Sequence, residues 1–270
     1  MPFPAAERVI FQKNPLKEVV CQLMFPPILK IDAEIPAGFQ EKIRDEFPNY
    51  IEGPSARVTG PPAIQGVIPL PIQRQLDILK MVAESTAEKI YEFYSEDEDW
   101  KLTLSRTFIA LTTKKYKRWE KFYEKLKKPL VALTNIYAPA YYNRVGLRYK
   151  NIISRSDIGL DKSSWTELLK PFILCLLATP EIRDSVQNYT CVNEISLDDK
   201  ESIVRLIIKR VEKEDNREEC LMLDSDFIIT KRVEIDAVAE KLKYFNIQAA
   251  CLMQWCISKK LYEALDPKVI

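Results

Sequence analysis

The chain contains no histidine. That removes the side chain most often used as a general base near neutral pH and as a metal ligand. Glycine is scarce, with six residues, and none is spaced for a phosphate-cradling loop. Nucleotide binding by a P-loop or a dinucleotide fingerprint is thereby excluded. No serine stands in a G-x-S-x-G elbow, so a serine nucleophile would lack both its setting and its usual base. The longest apolar stretch, Phe172 to Ala178, is too short to span a bilayer, and the opening MPFPAAERVIF does not read as a signal peptide. A charge excess is absent too. Forty basic residues face thirty-nine acidic ones, whereas a protein that wraps nucleic acid carries a basic surplus.

These absences favour a non-enzymatic protein without cofactor or metal. Six cysteines, at 21, 175, 191, 220, 251 and 256, form no C-x-x-C and lie in apolar runs such as FILCLLA and AACLMQWC. They read as buried, reduced thiols and imply a cytoplasmic location. With 47% apolar and 29% charged residues across 270 positions, the chain has the makings of a substantial core.

Alternating residues Val19, Cys21, Leu23 and Phe25 share one face of a strand, and Phe39, Ile43 and Phe47 recur at helical spacing. Twelve of the seventeen prolines precede Gln73, so residues 48–72 read as an extended or looped connection. From Gln73 to Thr113 three antiparallel strands are expected: RQLDILKMV, KIYEFY and WKLTLSRTFIALTT, with the acidic run Ser95–Asp99 turning between the last two. A helix from Lys117 to Tyr137 follows, with a kink expected at Pro129.

The second half repeats the order. YYNRVGLRYKNII is a strand, SSWTELLKPFILCLLA a helix opened by a Ser164/Glu167 capping box, and three strands precede a helix over 234–264. Thr113-Lys114-Lys115 and Thr230-Lys231-Arg232 are 117 residues apart, as are the charged turns at Asp97 and Glu214, and Glu124–Lys127 recurs at Glu240–Lys243. The expectation is an α+β fold made from a duplicated β-α-β-β-β-α unit. Curved antiparallel sheet would be backed by two long helices, with the first repeat over 1–138 and the second over 139–270.

The segments NPLKEVVCQLMF, RVGLRYKN and LDSDF resemble, in order and spacing, a sporadically distributed prokaryotic family of unknown function. The resemblance implies an accessory gene of the defence or toxin–antitoxin kind. It implies no catalytic residues.

Arg144, Gly146 and Arg148 share one strand face, where two guanidinium groups beside a glycine could grip a carboxylate or phosphate. Their alternative is to pair with acids on neighbouring strands. Lys114 and Lys115 with Lys117 and Arg118, and Lys231 with Arg232, mark the two strand-to-helix junctions as candidate anion or acidic-partner sites, with plain solvation as the alternative. Asp224 and Asp226 could hold a hard cation or be salt-bridged. Tyr141, Tyr142, Tyr91, Phe93 and Tyr94 could stack on bases or fill a core. The expected activity is binding of a protein partner encoded nearby or of a small anionic ligand, with a nucleic-acid-binding module as the alternative.

Overall fold

The computed structural model describes residues 2–53, 89–213 and 216–270. Among these residues the centre is a nine-stranded antiparallel sheet. In chain order the elements are β1 (Val9–Phe11), β2 (Leu16–Met24), α1 (Leu29–Ala33), α2 (Ala37–Ile43), β3 (Asn49–Gly53), β4 (Ile90–Tyr94), β5 (Trp100–Leu104), β6 (Phe108–Thr113) and α3 (Trp119–Tyr137). The second half contributes β7 (Arg144–Ile153), the single turns α4 (Arg155–Ile158), α5 (Trp165–Leu168) and α6 (Pro171–Leu174), then β8 (Thr190–Ser196), β9 (Ile203–Glu212) and β10 (Glu219–Ile229). It closes with α7 (Val238–Cys256), α8 (Lys259–Ala264) and β11 (Pro267–Val269).

The strands lie side by side as β3-β4-β5-β6-β2-β7-β10-β9-β8, so one sheet runs through both halves and β2 pairs with β7 at the middle. A separate two-stranded ribbon joins β1 to β11.

Alternation in the strands divides polar from apolar, as a half-covered antiparallel sheet requires. Val19, Cys21 and Leu23 of β2, Val145 and Leu147 of β7, and Phe227 of β10 are all fully buried on the helix-covered face. Helix α7 lies over β7 and β10, and α3 packs against α2. Phe245 of α7 meets Phe227 with ring centroids 6.2 Å apart. Burying such a ring is worth about 1.5–3 kcal/mol. Phe39, Ile43 and Phe47 are likewise buried, as their helical spacing foretells.

Several expected boundaries move. WKLTLSRTFIALTT is a hairpin rather than one strand, β5 turning into β6 at Ser105–Thr107. Ser105 makes that turn with its side chain, its Oγ accepting from the amides of Thr107 and Phe108 at 3.2 Å each. The Asp97 turn therefore joins β4 to β5, while Glu214 falls between β9 and β10, so these two positions are not equivalent in strand order. Residues Asn49–Gly53, expected in a connection, form edge strand β3. The remainder of that connection, and the expected strand RQLDILKMV, lie outside the described residues.

The helix expected over 164–178 is broken. The capping box at Ser164 and Glu167 forms, but Leu169 is already extended and Pro171 opens a new turn at its first position. Backbone pairing interrupts the final helix as well: Lys170 donates to the Cys256 carbonyl at 2.9 Å, and Ser258 to that of Leu168 at 2.8 Å. Ser258 then caps α8. Helix α7 starts at Val238, four residues after the expected start, and α3 starts at Trp119 and runs unbroken through Pro129.

Candidate functional site

The face of the sheet opposite α7 carries the arginines singled out above. Arg144 and Arg148 sit on β7 beside the seam, with Val145 and Leu147 turned to the core. Both guanidinium groups are already engaged. Arg148 Nε donates to Asp224 Oδ1 at 2.7 Å, and its Nη2 donates to Asp224 Oδ2, a bidentate fork on a carboxylate only 3% exposed. Arg144 donates from Nη1 to Gln22 Oε1 at 2.8 Å and from Nη2 to Asp226 Oδ2 at 3.0 Å.

Arg144 reaches Asp226 by lying along its own strand across Gly146. A Cβ at position 146 would stand 2.5 Å from Arg144 Nη1, so glycine is what lets the side chain lie flat. The notch expected between the arginines is therefore filled by Arg144 itself, and Asp224 and Asp226 are salt-bridged. Burial holds the Asp226 carboxyl above the usual range, against the downward pull of Arg144 and Arg148. Arg205–Glu194 at 3.2 Å and Lys101–Glu92 at 2.9 Å extend the pattern of cross-strand ion pairs along the same face.

The junction cations are dispersed. Lys115 pairs with Asp99 at 2.8 Å and Lys231 with Glu201 at 3.6 Å. Arg232 pairs with Glu234 at 2.7 Å and lies over the Tyr141 ring, 4.5 Å from its centroid. Lys114 is exposed and makes no ion pair among the described residues. Lys114 and Lys115 precede the start of α3 at Trp119 by four residues or more, whereas Arg118 is its N-cap residue. Tyr91, Phe93 and Tyr142 are buried in the core, which leaves them unable to stack on bases.

A cleft under α7 was not visible in the sequence. Its floor is the helix-covered face of the sheet at Tyr149, Asn151 and Ser225, and its roof is α7 at Asn246, Ala249, Ala250 and Met253. β1 and the segment entering α3 complete the walls, with the exposed Arg8, Lys117 and Arg118 at the rim. The cavity volume is about 140 Å³. The roof side chains are small: Ala249 is buried and Ala250 exposed, and both line the cleft.

The polar groups inside are specific. Asn246 Oδ1 accepts from two phenols, Tyr149 Oη at 2.9 Å and Tyr116 Oη at 3.3 Å. The two rings meet edge to face, 5.9 Å apart. Burial pushes both phenols far above their usual range, so they remain neutral donors. Asn151 is buried, and its side chain makes no hydrogen bond among the described residues. Its amide lines the cleft, where a ligand or water can reach it. At the rim Arg8 pairs with Glu120, whereas Lys117 makes no ion pair among the described residues. Among those residues, no group of three or more histidine, cysteine or carboxylate side chains could hold a metal ion. No helix of the described residues is long and apolar enough to cross a membrane.

No protein-family model matches the chain, and no curated protein is similar to it.

Proposed function

We propose that this chain is a non-enzymatic binding protein that holds a small ligand, apolar in body and anionic at one end, in the cleft beneath α7. The observation that carries it is the Asn151 side chain, which makes no hydrogen bond among the described residues and lines a cleft that sets apolar side chains beside the Tyr116–Asn246–Tyr149 cluster, Asn14, Ser225 and Gln254. Few polar groups in an apolar recess is the ordinary composition of a small-molecule site. Lys117 and Arg118 at the rim supply the charge for an anionic end.

Strand order supports reading the two halves as copies of one unit. Each half places its opening strand beside its last one, β2 by β6 and β7 by β10, and the two opening strands meet at the seam. The matched Thr113 and Thr230 junctions follow those two last strands. The cleft would then lie between the copies, with β1 and the entrance to α3 from the first and β7, β10 and α7 from the second. A protein partner encoded nearby, in an accessory locus of the defence or toxin–antitoxin kind, would read the ligand-bound state. The cytoplasmic setting belongs to the same proposal.

The test is calorimetric titration with octanoate, and with decylamine as the charge-reversed control. Octanoate binding that Ala250→Trp abolishes, and that Lys117→Glu with Arg118→Glu weakens about tenfold, is the expected result. Equal binding of both amphiphiles, or octanoate binding untouched by Ala250→Trp, would overturn the site.

A further inference from the structure

Four of the six cysteines are buried, as their apolar surroundings foretell, but two are not. Cys175 is exposed and Cys191 half-buried, and their sulfurs stand 3.8 Å apart as free thiols. Cys191 lies on β8, the outer strand of the sheet. Cys175 is the first residue of a 3-10 turn (Cys175–Ala178), with a backbone at φ 44° that a non-glycine residue adopts only under constraint from its surroundings. That conformation turns the chain between α6 and the 3-10 turn and leaves the thiol beside β8.

The surroundings suit exchange. The Asn193 side-chain amide donates to Cys191 Sγ at 3.3 Å, a contact that favours negative charge on that sulfur. A disulfide needs its sulfurs at about 2 Å, so rotation of the two side chains would close the gap from contact distance. We propose that Cys175 and Cys191 form a thiol-oxidation site, which low-molecular-weight disulfides of the glutathione type convert to an intramolecular bond.

The chemistry is two successive exchanges. The Cys175 sulfur, having lost its proton, attacks glutathione disulfide, breaks its S–S bond and expels one glutathione thiolate, which takes up a proton. Cys191 Sγ then loses its proton and attacks the Cys175 sulfur of the mixed disulfide, expelling the second glutathione. Two protein S–H bonds and one S–S bond are exchanged for one protein S–S bond and two glutathione S–H bonds. The protein is oxidised by two electrons and glutathione disulfide is reduced. The product would tie the 3-10 turn to the edge of the sheet across sixteen positions of sequence.

Burial and the hydrogen bond with Cys191 hold the Cys175 thiol above its usual range, so exchange is faster in mild alkali. The test therefore incubates the reduced, full-length protein with glutathione disulfide at about pH 8, followed by alkylation, intact mass and peptide mapping. Wild type is expected to lose about 2 Da and yield a Cys175–Cys191 cross-linked peptide, reversed by dithiothreitol. Cys220→Ser is expected to give the same cross-link. Cys175→Ser should leave Cys191 as a free thiol or as an adduct heavier by about 305 Da. A wild type that accumulates the glutathione adduct without the cross-link overturns the proposal. So does one in which both thiols stay free to alkylation, or a cross-link that survives Cys175→Ser.

Discussion

Replacing Arg148 by alanine tests the central ion pair most directly. The substitution leaves the Asp224 carboxylate, 3% exposed, without the fork of two hydrogen bonds that now satisfies it. Breaking a fully buried pair by removing one partner costs about 3–5 kcal/mol. Two features lower that figure here. The Arg148 side chain is itself 38% exposed, so solvent already screens the pair, and Lys150 stands opposite Asp224 in the ladder and can partly replace the lost cation. The expected loss is about 2 kcal/mol, or roughly a 5 °C fall in Tm for a chain of this size. Urea unfolding of Arg148→Ala, Asp224→Asn and the double variant supplies the measurement. Removing both charges should restore about 1 kcal/mol or more relative to Arg148→Ala, because the neutral amide no longer needs a counter-ion. If Arg148→Ala melts within about 1 °C of wild type, the pair does not hold the seam and the arginine would be free for a ligand.

Three further outcomes follow from the geometry. Gly146→Ala would push the Arg144 guanidinium off its path to Gln22 and Asp226, and a loss of about 1 kcal/mol is expected in urea unfolding. Tyr149→Phe removes one of the two phenols on Asn246 and should cost about 1 kcal/mol, while also weakening octanoate in the same calorimetric titration. Burial works against the charge on Asp199, yet the Ser202 hydroxyl and amide, the Glu201 amide and Lys241 together hold its carboxyl down to about 2. Because the folded value lies below that of an unfolded aspartate, about 3.9, this stabilisation is present above about pH 4 and lost as pH falls towards 2. Asp199→Asn should therefore be less stable near neutrality and show a flatter stability profile between about pH 4 and pH 2 in denaturant titrations.

What could be read from the sequence was whatever depends on neighbours in the chain. The alternation of Val145, Leu147 and Tyr149 against Arg144, Gly146 and Arg148 assigned both faces of β7, and it also put Asn151 on the covered face. The acids opposite those arginines were named, but their partnership is a matter of register between strands more than seventy residues apart. The hairpin at Ser105–Thr107 escaped notice because it contains neither glycine, proline nor asparagine; a serine hydroxyl substitutes for them. The interruption at Ile257 was equally hidden, since the competing partner is the backbone near Leu169. The cleft gathers residues from β1, the α3 entrance, β7, β10 and α7, and its one local signal was the basic pair Lys117-Arg118 before α3. The two accessible cysteines look like their buried fellows in composition, because only the turn at Cys175 brings its sulfur out and beside β8.

The pairing of β2 with β7 also governs the order in which the chain can become a folded protein. Residues 16–24 emerge from the ribosome long before residues 144–153, yet each is the other's neighbour in the finished sheet. Until the later strand arrives, β2 can satisfy only its β6 side and offers an open, apolar edge to any other strand in reach. Non-local pairing of this sort slows folding, because the loop-closure entropy is spent before the contacts form. The nascent first half is thus the aggregation-prone species, and its exposure time is set by translation of the segment between α3 and the end of β7. A pause in synthesis before Arg144 would prolong that exposure, whereas a pause made once residues 144–153 have left the ribosome would not.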